Sequence, residues 1–242
     1  MILVAEIVKY HGASPWHLCV FVPLWLTFAV NQVAAILLAA GQSRRMGAFK
    51  PLLPFGNKTV IECCIDYLQE GGVETIVVVV GHRADEIRSA LAGRELIFAI
   101  NPDPNSEMGA SIAAGVGELP ESCQAALIAL SDHPAVPAQV VSKLIETWKN
   151  GARLVIPTWK NRGGHPVLVD LSFKFELLNL NATGGLRALF EAHKNEVERV
   201  PADSPYIARD MDKWDDYRAL HQEVTGKPAP EHQTNETLDA FI

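Results

Sequence analysis

The chain has 242 residues, 48% of them hydrophobic and 20% charged, with 17 Gly and 15 Pro. That length and mix bury a core without disulfide or metal staples, and exclude a collagen, a coiled coil or a wholly disordered chain. The formal charge of -7 at pH 7 argues against a general nucleic-acid binder, which needs a basic face to displace counterions. An anionic ligand must therefore be met by a local basic site.

The cysteines Cys19, Cys63, Cys64 and Cys123 show no Cys-x-x-Cys spacing, so neither a zinc ribbon nor a thioredoxin motif is encoded, and reduced thiols of a cytoplasmic protein are expected. Residues 1–32 stand apart as an apolar extension. The run Trp16 to Val30 is shorter than the roughly 18–20 residues of a membrane span and contains a proline, so a membrane span is not expected. Lys9 alone makes a poor basic leader. An extra packed segment, a weak membrane-associating tail and the product of a start codon placed too far upstream are the readings open to them, and we favour the last or a loosely ordered extension. The domain itself is expected at 33–222, with a polar tail at 223–242.

From Val33 the elements follow in order. VAAILLA (33–39) is a continuous apolar strand ending in a Gly-containing loop. TVIECCIDYLQE (59–70) puts Val60, Cys64 and Leu68 on one helical stripe with Ile61 and Ile65 beside it, and Gly71-Gly72 stops it. TIVVVV (75–80) reads as a strand buried on both faces, ADEIRSAL (84–91) as a helix, LIFAI (96–100) as a strand, and Ala110–Gly117 as a helix. AALIAL (125–130) is another buried strand. Pro137 opens a helix through about Lys149. RLVIP (153–157) and PVLV (166–169) are strands, followed by a helix near 185–193, a strand near 196–200 and a last helix from Trp214. Apolar strands alternating with helices predict an α/β fold, a Rossmann-like, mostly parallel sheet with helices on both faces. Such sheets bind ligands beyond the carboxyl ends of their strands.

The loop after the first strand is the candidate ligand cradle. Residues 33–61 contain no acid, yet hold Arg44, Arg45, Lys50 and Lys58. Gly41 and Gly47 let a backbone approach a ligand closely and Ser43 adds a hydroxyl; backbone N–H groups with several cations make a polyphosphate cradle. The plain alternative is a basic surface turn. Five residues separate Gly41 from Gly47 and Ala48 follows, so this is no Walker A loop, and no Gly-x-Gly-x-x-Gly fingerprint is present. Asp132 closes AALIAL within Ser131-Asp132-His133-Pro134. An acid at the carboxyl end of a central strand is a candidate ligand for the divalent cation that phosphoryl chemistry requires.

The run Leu38-Ala39-Ala40-Gly41-Gln42-Ser43-Arg44-Arg45-Met46-Gly47-Ala48-Phe49-Lys50 resembles the LAAGxSxRMGxxK signature of the MobA-like nucleotidyltransferases, most of all their molybdenum cofactor cytidylyltransferase branch. The resemblance extends from about Val33 to Leu220 and implies a fold of the nucleotide-diphospho-sugar transferase type. It implies that the loop wraps a nucleoside triphosphate through Leu38, Ala39, Ala40, Gly41, Ser43 and Gly47, and that Arg45 and Lys50 are catalytic, holding phosphates and the charge developing at the attacked phosphorus. Ala40 resembles the cytidylyl branch; the guanylyl branch reads LAGG. Asp132 resembles the family's D-[QH]-P motif. Ala208 to Tyr217 resembles DIDTPEDY, making Asp212 the second Mg2+ ligand, with Asp210 as alternate. Lys213 and Trp214 depart from the Thr-Pro of that motif. Asn101-Pro102 and Glu107-Met108-Gly109-Ala110-Ser111-Ile112 resemble NPxWxxGMxxSI and suggest a nucleotide contact at Ser111, balanced by a plain helix position there. Pro104 and Glu107 depart from this pattern. Gly81-His82 ends a strand where a base-contacting loop fits. Gly164-His165-Pro166 resembles GHPV on the acceptor side. Arg187 reads as an acceptor contact or a surface arginine.

The implied activity is Mg2+-dependent transfer of CMP from CTP to a molybdopterin-type acceptor, the product passing to a molybdenum hydroxylase. The alternatives are a guanylyltransferase or a sugar- or alcohol-phosphate nucleotidyltransferase on the same fold, and a non-catalytic cofactor-delivery chaperone.

Overall fold

The computed structural model describes residues 32–42, 46–103, 105–180 and 184–230. The expectations for residues 1–31, Ser43, Arg44, Arg45, Pro104, Thr183 and 231–242 lie outside the described residues. Among the described residues no helix is long and apolar enough to cross a membrane.

The strands are β1 (Val33–Leu38), β2 (Pro54–Phe55), β3 (Lys58–Thr59), β4 (Thr75–Val80), β5 (Ile97–Ile100), β6 (Ala125–Leu130), β7 (Leu154–Trp159), β8 (Arg162–Gly163), β9 (Val167–Asp170) and β10 (Val197–Pro201). The helices are α1 (Val60–Glu70), α2 (Ala84–Ala90), α3 (Met108–Gly117), α4 (Ala138–Lys149), α5 (Lys174–Leu178), α6 (Gly185–Ala192) and α7 (Trp214–Thr225). Helix α7 continues past residue 222, where the polar tail was expected to begin.

One sheet runs in the order β10-β7-β9-β6-β1-β4-β5, with β8 paired to β7. Strands β5, β4, β1 and β6 are mutually parallel. Strand β9 is antiparallel to both β6 and β7, so the sheet is mixed where periodicity alone predicted a further strand without direction. The chain moves outward from β1 through β4 to β5, then returns to place β6 on the other side of β1. The strand order thus reverses at β1, and a cleft opens beyond the carboxyl ends of β1 and β6, where such sheets hold ligands.

Each helix layer follows from its sequence. Thr59 and Glu62 form a capping box: the Glu62 carboxylate accepts from the Thr59 N–H at 2.7 Å, and the Thr59 hydroxyl accepts from the Glu62 N–H. This starts α1 and fixes its apolar stripe, Val60, Ile61, Cys64, Ile65 and Leu68, all fully buried. Helices α1, α2 and α4 cover one sheet face. Helices α3, α5 and α6 cover the other. On that second face Gly115 lets α3 touch the sheet: a Cβ there would lie 2.4 Å from Ile36 Cγ2. A third cluster joins Met46, Phe55, Val60, Met211, Tyr217 and Leu220. It seats α7 on the β2–β3 hairpin, with the Tyr217 hydroxyl donating to Pro54 O at 2.5 Å.

Candidate active site

A cavity of about 710 Å³ opens beyond the carboxyl ends of β1 and β6. The end of β1 and the loop after it contribute Leu38, Ala40, Gly41 and Gln42, the 3-10 turn further on Lys50 and Pro51, and the end of β6 and the residues after it Leu130, Ser131 and Asp132. Asp212 enters from the segment before α7, and Asn101, Asp103, Asn105, Ser106, Met108 and Ser111 close the remaining wall.

Lys50 opens a short 3-10 turn, Lys50–Leu52, and is only 8% exposed. Its ammonium lies 2.8 Å from Asp212 Oδ1 and 3.4 Å from Asp132 Oδ2. Two carboxylates from distant parts of the chain therefore converge on one cationic point inside the cavity. The convergence has a structural cause. The Trp214 indole N–H donates to Met46 O at 2.9 Å, and Met46 and Met211 share the third apolar cluster. These contacts fasten the segment carrying Asp212 to the loop carrying Lys50. Asp216 Oδ2 accepts from the Lys213 N–H at 2.9 Å, so α7 starts cleanly at Trp214 although Lys213-Trp214 replaces Thr-Pro.

The donor set fits a divalent cation. Magnesium takes one or two carboxylates and fills its remaining positions with phosphate oxygens and water. Asp132 and Asp212 supply two carboxylates that already converge on one positive charge. Of the two acids expected near the far end, Asp212 lines the cavity and Asp210 does not.

The wall from β5 to α3 is a polar network that sequence reasoning reached only in part. Asn101 is buried, and its amide donates to Ser106 Oγ at 2.7 Å and to Ser111 Oγ at 2.8 Å. Its Oδ1 accepts from the Asp103 N–H at 3.3 Å, which fixes the amide's orientation. Ser111 therefore stands in the cavity wall with an oriented hydroxyl. The available signal was an asparagine directly beyond a strand's carboxyl end; Ser106 carried none.

Other expected residues lie elsewhere. Ala39 is buried in the core with its N–H bonded to Val79 O at 2.8 Å. Gly47 has φ +65°, a left-handed turn that suits glycine, and lies outside the cavity lining. Gly81 packs against the β1 loop, where a Cβ would meet Ala40 O at 3.0 Å. His82 is not in the cavity lining; its ring lies edge-on to Phe49 at 6.2 Å, and the Arg83 guanidinium stacks over the Phe49 ring at 4.2 Å from its centre. Arg187 is exposed on α6.

Gly164, His165 and Pro166 also lie outside the cavity lining. The His165 ring sits edge-on to the His133 ring at 6.1 Å. Burial, together with the neighbouring His133, pushes the His165 imidazole down to about 4. Burial likewise lowers His133, with the Asp132 and Asp210 carboxylates opposing it. Both shifts favour the neutral rings near pH 7, so neither histidine brings a full positive charge beside Asp132.

A lysine thus stands between two aspartates at the point where an α/β sheet reverses its strand order. The chain belongs to the MobA-like NTP transferase domain family, whose model matches residues 35–197. It is 27% identical over 199 residues to the molybdenum cofactor cytidylyltransferase of Escherichia coli strain K12, covering 81% of this chain and 99% of that one. It is 25% identical over 198 residues to the nicotine blue oxidoreductase of Paenarthrobacter nicotinovorans, covering 78% and 96%. A Mycobacterium sp. strain JC1 homolog of Rv0371c superposes with a TM-score of 0.71 at 27% identity, over 81% of this chain and 98% of that chain. Rv0371c of Mycobacterium tuberculosis, solved as a complex with manganese, shares the fold at a TM-score of 0.69 and 23% identity, over 79% and 98%.

Proposed function

We propose that the chain is a Mg2+-dependent cytidylyltransferase that moves CMP from CTP to a molybdopterin-type cofactor and releases pyrophosphate. The observation that carries this reading is Lys50 held between Asp132 and Asp212 in the cavity beside Gly41. Pure nucleotide binding needs no such paired carboxylates, whereas transfer at a triphosphate needs both cation-binding acids and a preorganised positive charge.

In this reading a phosphate oxygen of the acceptor attacks the α-phosphorus of CTP. The bond from that phosphorus to the bridging β-phosphate oxygen breaks, and pyrophosphate leaves. An ionised phosphate is already nucleophilic, so the protein supplies position and charge rather than a base. A divalent cation held by Asp132 and Asp212 would neutralise the triphosphate. Lys50 and Arg45 hold phosphate oxygens. Leu38, Ala40, Gly41, Ser43 and Ser111 seat the nucleotide. Ala40 and the similarity to the Escherichia coli cytidylyltransferase support cytosine and a molybdopterin acceptor. The product dinucleotide would pass to a molybdenum hydroxylase.

The test is thermal stabilisation by CTP, GTP, ATP and UTP with and without Mg2+, followed by pyrophosphate release with molybdopterin as acceptor. Ligand that binds only the folded chain raises the melting temperature by linkage. A CTP-selective, Mg2+-dependent shift with pyrophosphate release is expected. Selectivity for GTP would move the protein to guanylyl transfer, and binding without pyrophosphate release would make it a delivery protein.

A further inference from the structure

The Gly164–His165 segment stands outside the cavity and still touches the surroundings of both carboxylates. The His165 N–H donates to Ile207 O at 2.7 Å. Ile207 lies in the 3-10 turn Pro205–Ala208, a few residues ahead of Asp212. A Cβ on Gly164 would meet the same Ile207 oxygen at 2.2 Å, so the backbone here is pressed directly against that turn. On its other side the His165 ring packs on His133, the residue after Asp132, and His165 Nδ1 lies 3.4 Å from Ile128 O of β6. His133 is 5% exposed, and its Nε2 stands 3.8 Å from Asp132 Oδ1. The segment is thus wedged between the end of β6 and the turn that leads to Asp212.

We propose that Gly164 and His165 form a strut that sets the separation of Asp132 and Asp212, making them positioning residues for the divalent-cation site rather than contacts of the acceptor. This rests on the cation-dependent reading given above. A packed interior transmits small displacements because it has no free volume to absorb them. A side chain at position 164 pushes the Ile207 turn, and with it Asp212, away from Asp132. Loss of the ring at 165 lets His133 and the end of β6 relax toward the emptied space. Residues that orient metal ligands from behind commonly change metal affinity about 10- to 100-fold when altered.

The experiment is Mn2+ binding to the full chain, followed by electron paramagnetic resonance at saturating CTP, with CTP affinity in EDTA measured alongside. His165→Ala and Gly164→Ala are expected to weaken Mn2+ binding at least about tenfold while leaving metal-free CTP affinity unchanged. His165→Phe keeps the backbone donor and the ring packing, and should bind Mn2+ like the parent chain. Circular dichroism melting checks the folding of each variant; should Gly164→Ala fail to fold, His165→Ala against His165→Phe decides. Unchanged Mn2+ affinity in His165→Ala overturns the strut, as does an equal loss in His165→Phe. Absence of CTP-dependent Mn2+ binding in the parent chain would instead overturn the transferase reading beneath it.

Discussion

Lys50 Nζ lies 2.8 Å from Asp212 Oδ1 across 162 positions of sequence. The same ammonium reaches Asp132 at 3.4 Å. This places one positive charge at the point where two candidate metal ligands meet, with the lysine side chain 10% exposed and the carboxylates 26% and 35% exposed. At such partial burial a charge pair interacts more strongly than at the open surface. On the proposed function the ammonium and a divalent cation would compete for the same two carboxylates, and the phosphates of a nucleotide would offer Lys50 another partner.

Lys50→Ala removes one competitor. In the absence of nucleotide it is expected to tighten Mn2+ binding several-fold, on the order of 1 kcal/mol for a partly exposed pair, and with CTP and acceptor to lower turnover by about 100-fold or more, as loss of one charge-stabilising donor does. A titration of Mn2+ by electron paramagnetic resonance reads the first effect and pyrophosphate release the second. Weaker Mn2+ binding in the variant would show that Lys50 supports the site rather than competing in it.

Asp132→Asn keeps the shape of the side chain and removes its charge. Nucleotide binding in EDTA should persist, while the Mg2+ concentration required for half-maximal turnover rises about tenfold or more. An unchanged Mg2+ requirement would move the cation away from β6.

Much of this arrangement was legible in sequence because strands buried on both faces read as unbroken apolar runs. TIVVVV and AALIAL are β4 and β6 residue for residue, and Asp132 follows from its place beyond the second. Direction was not legible: PVLV reads as a strand whichever way it runs, and only the register of β9 against β6 shows it antiparallel. The two-residue strands of the β2–β3 hairpin and the five-residue α5 are too short for any period to emerge. At the site, Asn101 carried a motif yet its bracket on Ser106 and Ser111 is a matter of side-chain geometry. For His82 the position beyond a strand suggested a base contact, and the structure sets its ring edge-on to Phe49 outside the cavity lining.

Trp214→Phe tests the fastening between the Asp212 segment and the first loop. The substitution keeps an aromatic ring in the third cluster and deletes the donor to Met46 O. A stability loss of about 1 kcal/mol is expected for one hydrogen bond whose acceptor is left without that partner. Turnover should fall by more than the small loss of folded protein explains, because Asp212 loses its anchor. Chemical denaturation and pyrophosphate release on one preparation compare the two effects; activity equal to the parent chain would show that apolar packing alone positions Asp212.

Gly115→Ala concerns the scaffold and not the site. The added methyl would stand 2.4 Å from Ile36 Cγ2 and 2.9 Å from Val79 Cγ2, both on fully buried residues. Overpacking of this kind costs about 1–3 kcal/mol, and each kcal/mol lowers the melting temperature of a domain this size by about 2–4 °C. A melting temperature equal to the parent's would mean that α3 can lift from the sheet without cost.

His165 gives the stability of the chain an acid-sensitive component. Burial first, and His133 beside it second, push its folded-state value down to about 4, while the unfolded side chain titrates near about 6.5. Between those values the unfolded chain holds a proton that the folded chain refuses. Stability therefore rises with pH across this window, and falls as the solution is acidified from 6.5 toward 4. Below about 4 both states are protonated and this contribution to the slope ends. His133, lowered by burial in the same direction, adds to the loss. Carboxylates held low by their partners, Asp66 and Asp170 among them, also lose stability in acid, but equally so in a variant at position 165. His165→Phe should therefore flatten the fall in melting temperature between pH 6.5 and 4 relative to the parent chain, with the two curves running parallel above pH 7. Parallel curves through the whole range would show that His165 takes up its proton in the folded chain as readily as in the unfolded one.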